Sequence, residues 1–216
     1  MKLEAQKKRS ILGIIIDTVI IIFGIWGSYV EIYENGMVML SYYTVESNLF
    51  ISLACMLDLV YQISVLKQKE RSPWIKDMKY LATCCMTITF MVVLFILAPA
   101  GGIPEYIRMF FEGPLKYQHT LCPILAVFSF FVVDAYQNDL KKNKILLSLT
   151  PTVLYAVIST SLNIAKIMYG PYAFLHVYEQ SIGMSVFYVV LILGIAYAIG
   201  FFLWKISSLI RKQNGV

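Results

Sequence analysis

The sequence predicts an all-α integral membrane protein, a six-transmembrane-helix bundle with both termini cytoplasmic. Three observations carry this expectation. Of 216 residues, 59% are hydrophobic and only 14% are charged, with a mean hydropathy of +0.71. A soluble domain carries about 25% charged residues, and a disordered chain needs low hydrophobicity with a large net charge, so both classes are excluded. Six stretches are long and apolar enough to cross a bilayer, whose core demands about 20 such residues per helix because no water satisfies a broken backbone there. Lys and Arg then fall overwhelmingly on one side of those stretches.

The first span, residues 11 to 30, comes after Lys2, Lys7, Lys8 and Arg9. It is longer than the 7 to 15 or so apolar residues of a signal peptide, and Glu31, Tyr33 and Glu34 stand after it in place of a small-residue cleavage site, so it reads as a retained span. The second covers residues 47 to 66. The connection from Lys67 to Lys79 holds five basic residues, and the third span is placed at 80 to 99. In residues 103 to 112 the apolar Ile103, Tyr106, Ile107, Phe110 and Phe111 recur at helical spacing while Glu105, Arg108 and Glu112 take another face. That pattern suits a short helix on the outer leaflet, stopped by Gly113 and Pro114, although a partly buried loop is also open. Spans at 118 to 137, 145 to 165 and 182 to 204 complete the chain as one domain, residues 1 to 216. No run alternates apolar and polar residues as a barrel strand would.

Orientation is read from the basic residues. The N-terminus, the Lys67 to Lys79 connection, Lys141 to Lys144 and the segment from Lys205 hold 15 of the 18, leaving Arg108, Lys116 and Lys166 on the other side, which is the bias of cytoplasmic segments. The net charge of +5 is spread over juxtamembrane segments facing anionic lipid, so the bilayer and not nucleic acid is the expected partner. The expected location is the cell membrane, as a multi-pass protein. Cys55, Cys84, Cys85 and Cys122 all lie in apolar stretches and outline no disulfide framework.

The polar residues form two layers. In the outer one, Ser41, Thr44, Ser47 and Asn48 open the second span, His119 and Thr120 open the fourth, and His176 and Glu179 precede the sixth. Thr44 and Asn48 are four apart and share a helix face; capping or a helix-to-helix hydrogen bond would explain them without any chemistry. His119 has the titration range of a general base, and Pro123 loosens the backbone carbonyl of His119; an interfacial anchor is the plainer role. His119 and Cys122 are spaced i,i+3, but no second Cys/His pair has zinc-type spacing, so no metal and no cofactor is expected. The inner layer is Asp17, Asp58 and Asp134. Each costs about 2.5 to 3.5 kcal/mol to insert at a helix centre, so they should face inward. They read as a polar clasp between helices one, two and four, or as a proton pathway; with no basic residue placed mid-membrane, the clasp is preferred.

The string Tyr42-Tyr43-Thr44-Val45-Glu46-Ser47-Asn48-Leu49, read as YYTxxSNL, resembles the androgen-induced and androgen-dependent membrane protein family (ADTRP-like) and its bacterial multi-pass relatives. His119-Thr120-Leu121-Cys122-Pro123-Ile124, with Asp134 eleven residues beyond the proline, is similar to that family's second pattern. Tyr169-Gly170-Pro171-Tyr172-Ala173-Phe174 is similar to a YPYxF element, with Gly170 inserted and His176 where an acidic residue is expected. The resemblance implies a six-helix intramembrane hydrolase cleaving lipid esters, such as fatty acid esters of hydroxy fatty acids, near the outer leaflet. It implies Thr44 as nucleophile and His119 as base. Asn48 is the first candidate for the oxyanion donor and Ser47 the second; Glu179, Glu46, Tyr172 and His176 are the candidates for accessory roles, and residues 103 to 112 for a lid. The competing expectation is a small proton-coupled transporter or lipid-binding membrane protein in which the outer cluster is a vestibule and the three aspartates carry protons.

Overall fold

The computed structural model describes residues 2–69, 72–137 and 139–214. Arg71 and the side chain of Lys2, both among the 15 basic residues that the sequence assigns to the cytoplasmic side, lie outside the described part of the chain. Among the described residues the chain is helical without strands, and six helices are long and apolar enough to cross a membrane: α1 (Leu3–Asn35), α2 (Tyr43–Leu66), α3 (Trp74–Phe111), α4 (Tyr117–Gln137), α5 (Lys144–Ile164) and α6 (Ile182–Gln213).

Helix α3 is the central element, 61% buried over its most apolar stretch against 22% for α5 and for α6. One core cluster joins it to α4 and α6 through Tyr80, Ile88, Phe130 and Leu203. A second joins it to α1, α2 and α4 through Ile20, Ile51, Met86 and Cys122. Helices in a bilayer gain little from hydrophobic exclusion and associate through close packing. At Gly24 of α1 an added Cβ would collide with the Ser52 hydroxyl of α2, so the glycine is what lets the two backbones approach. Helix α5 is held to α2 by Tyr43 Oη against Thr152 Oγ1 (2.8 Å) and to the 3-10 turn before α2 by Tyr155 donating to the Ser41 carbonyl (2.9 Å).

One sequence expectation is corrected here. The third span begins at Trp74 and not near residue 80, so Lys76 and Lys79 belong to the helix and not to its preceding connection. Both are buried. The expectation that no basic residue faces the three aspartates therefore fails. Lys76 and Lys79, one turn apart on α3, meet Asp17 of α1, Asp58 of α2 and Asp134 of α4. The short helix expected after the third span is present: residues 103 to 111 are helical beyond a break at Gly102, whose φ of 68° and ψ of −159° are open essentially to glycine alone. The chain then doubles back, with Tyr106 donating to the Leu94 carbonyl at 2.9 Å and Phe110 packed on Phe90.

Candidate functional site

Two sites emerge, one from each polar layer. The inner one is the Lys/Asp pentad. Lys79 Nζ lies 2.6 Å from Asp17, 2.9 Å from Asp58 and 3.4 Å from Asp134, and donates to Ser129 Oγ at 3.0 Å. Lys76 Nζ lies 2.6 Å from Asp58 and 2.7 Å from Asp134, with the Tyr61 ring 4.7 Å away. Gln62 donates to Asp58 at 3.0 Å and joins Gln137, which reaches Ser10. Asp17 keeps one carboxylate oxygen, Oδ2, buried without a hydrogen bond among the described residues. A π-helical turn at Phe130–Asp134 delivers Asp134 to this group; such one-residue expansions reset which face a side chain occupies.

The outer site is a cavity of about 640 Å³ whose lining includes Thr44, Gln118, His119, Tyr172, Glu31 and Arg108. Thr44 reaches it from the first turn of α2, which is preceded by Gly36 and a 3-10 turn at Met37–Ser41. The Thr44 N–H donates to Tyr172 Oη at 3.3 Å, and the Tyr172 and Thr44 hydroxyls are 3.5 Å apart. With its oxygen already accepting from that N–H, the Tyr172 hydroxyl is free to donate to Thr44 Oγ1. Burial pushes the Tyr172 phenol up to about 12, which keeps that proton in place through the physiological range. The backbone N–H of Val45, the next residue and also in the lining, finds no acceptor among the described residues, as expected of a helix's first turn.

His119 reaches the cavity from the π-helical turn Tyr117–Leu121. Pro123 explains the turn, because it has no N–H to return to the preceding turn's carbonyl. The imidazole Nδ1 is 3.1 Å from the Met109 carbonyl, and Thr120 Oγ1 donates to the Phe110 carbonyl at 2.8 Å. Both carbonyls end the helix that folds back from Gly102, where no further turn satisfies them. A carbonyl only accepts, so Nδ1 carries the proton and Nε2 is the basic nitrogen.

The other predicted residues are placed differently. Ser47 bonds to Thr89 Oγ1 at 2.8 Å and to the Thr44 carbonyl, and it is outside the cavity lining. Asn48 spends both N–H donors on the Thr44 carbonyl (2.8 Å) and the Gln118 carbonyl (3.4 Å). Its amide holds α2 against the π turn of α4 and so ties the Thr44 end of one helix to the His119 end of the other. His176 and Glu179 form their own clasp: Nδ1 is 3.2 Å from Glu179, Nε2 is 2.7 Å from the Gly170 carbonyl, and Tyr169 donates to Glu179 at 2.6 Å. That clasp shapes the loop that presents Tyr172. Glu46 is exposed on α2 outside the lining. Among the described residues no cluster of three His, Cys, Asp or Glu is arranged to hold a metal ion, and all four cysteines are free and buried.

Sequence reasoning missed Lys76, Lys79, Gln118 and Arg108 as site residues. The first two had a signal, since three intramembrane carboxylates require cationic partners and the i,i+3 spacing of Lys76 and Lys79 puts them on one face. No family model, curated protein or solved structure matches the chain.

Proposed function

We propose that the chain is an intramembrane hydrolase of lipid acyl esters, with Thr44 as nucleophile and His119 as general base. The observation that carries this reading is that the two side chains, 75 positions apart in sequence, line one cavity while His119 keeps an uncommitted Nε2. Among the described residues no hydrogen bond joins them directly, which leaves the pairing to be closed by substrate or water.

In this mechanism Nε2 takes the Thr44 hydroxyl proton as Oγ1 adds to the ester carbonyl carbon. The carbonyl π pair moves to oxygen, and the oxyanion accepts from the Val45 N–H and the Tyr172 hydroxyl; these replace Asn48 and Ser47, whose donors are engaged elsewhere. Collapse expels the alcohol, which takes the proton from Nε2, and leaves an acyl-threonine. Water then gives a proton to Nε2 and its oxygen to the acyl carbon, releasing the fatty acid and restoring Thr44. The basic bias of the opposite ends supports a cavity at the outer leaflet of the membrane, where an acyl ester already resides.

The test is hydrolysis of a long-chain fluorogenic ester, together with labelling by a fluorophosphonate, by purified protein. Thr44→Ala should abolish both and Thr44→Ser should retain turnover. Undiminished hydrolysis by Thr44→Ala would remove the nucleophile. The transporter reading draws on the pentad, where three carboxylates face two ammonium groups and a carried proton or cation would balance the remaining charge. Asp17→Asn discriminates: hydrolysis should persist in that variant, whereas proton-coupled uptake into vesicles would stop.

A further inference from the structure

We infer that the ester this site selects has a positively charged alcohol part, an acylated amino alcohol, and not the carboxylate-bearing alcohol of a hydroxy fatty acid. The inference rests on the hydrolase reading for the word ester, but its geometry stands independently. Two compartments meet at Thr44. The polar cavity lies on one side. On the other is a narrow slot of about 60 Å³, almost wholly apolar, which runs past Ile88, Val92, Tyr155, Tyr188 and Ile192 between α3, α5 and α6. Thr44, Leu97 and Tyr172 line both spaces. A molecule with its carbonyl at Thr44 therefore has one direction for a hydrocarbon chain and the other for its polar part.

The polar side offers acceptors and negative charge. Among the described residues Glu31, Glu34 and Glu112 line it, against a single Lys or Arg, Arg108. That guanidinium is already engaged by both oxygens of Glu105, at 2.5 and 2.9 Å, in a two-point pairing that uses the carboxylate completely. Gln118 also lines the cavity; it is 1% exposed, gives its N–H to Ser28, and keeps its amide oxygen buried with no partner among the described residues. A buried acceptor left without a donor is costly and marks a place where a donor is expected. A carboxylate entering here would meet three like charges, and the one guanidinium in the lining has its charge already offset by Glu105. A cationic ammonium would meet three opposite charges and an unpaired carbonyl oxygen.

Binding and hydrolysis are measured separately, so that each reading can fail alone. Three non-hydrolysable hexadecyl ethers, of choline, of glycerol and of glycolic acid, are titrated onto the full chain in nanodiscs of zwitterionic lipid. The choline ether should bind about tenfold more tightly than the glycolate, the scale of one unit-charge interaction at about 6 Å in partly screened surroundings. The glycerol ether should fall between them. Glu31→Gln with Glu34→Gln should erase most of that spread while leaving the glycerol ether unchanged. Equal binding of the three, or tighter binding of the glycolate, overturns the inference whether or not any ester is cleaved. The matching esters are assayed in parallel: absence of hydrolysis with the binding order intact would count against the hydrolase reading alone, and preferred cleavage of the anionic ester would overturn the inference.

Discussion

At the scale of single residues, two side chains decide most. Lys79 is fully buried and surrounded by three carboxylates. Removing one partner of a buried charge group leaves the others uncompensated, at a cost of about 3 to 5 kcal/mol. Lys79→Met should therefore lower stability in detergent by about that amount, read by chemical denaturation, and adding Asp17→Asn should recover part of it because one stranded charge is removed with its partner. A Lys79→Met protein as stable as the parent would show that the pentad is not held by charge pairing. His119 joins two functions, a hydrogen bond to the end of a helix and, in our proposal, a base. The two separate in His119→Asn, whose amide N–H can replace Nδ1 at the Met109 carbonyl but which has no basic nitrogen. That variant should keep its melting temperature and lose hydrolysis, whereas His119→Ala should lose hydrolysis and also about 1 kcal/mol of stability.

At the scale of elements, the irregular turns matter more than the regular helices. Each of the three π-helical turns, Val93–Leu97, Tyr117–Leu121 and Phe130–Asp134, adds a residue to its helix and rotates the turns beyond it. The second presents Gln118 and His119 to the cavity and the third presents Asp134 to the lysines. Pro123 underlies the second. Pro123→Ala restores an N–H that can close an ordinary turn and swing His119 away from its place. We expect hydrolysis to fall about 10²-fold, as for a displacement of about 1 Å at a reacting group, with little change in stability. Activity unchanged in that variant would mean that the proline does not set the position of His119.

At the scale of the whole molecule, the two polar sites share no residue and lie toward opposite ends of a bundle whose centre is α3. The break at Gly102 turns the far end of that helix back on itself, so one continuous element supplies Lys76 and Lys79 to one site and Arg108 and Met109 to the other. The proposed orientation survives the reassignment of Lys76 and Lys79 to the membrane, because the remaining basic residues still crowd the ends opposite the cavity. A single cysteine at Asn35, in a background lacking the native cysteines, should react with an impermeant thiol reagent in intact cells, and one at Asn143 should not. The reverse labelling would put the cavity on the cytoplasmic side.

The sequence by itself determined the class, the number of spans and their approximate limits, because desolvation of a backbone in lipid is a property of each segment alone. It also marked Thr44 and His119 as polar groups at one depth, since depth can be counted along a helix. The tertiary structure alone decided which of these groups meet. Asn48 has the right residue type and spacing for an oxyanion donor, yet its donors are spent on carbonyls of two helices, a fact that no single helix contains. His176 shares the depth of the site but closes on its own loop. The charge of Lys76 and Lys79 counted toward orientation in the sequence and toward cohesion in the fold. A basic residue at a span's edge can reach to the headgroups or turn inward, and the three facing carboxylates that turn it inward come from three other helices.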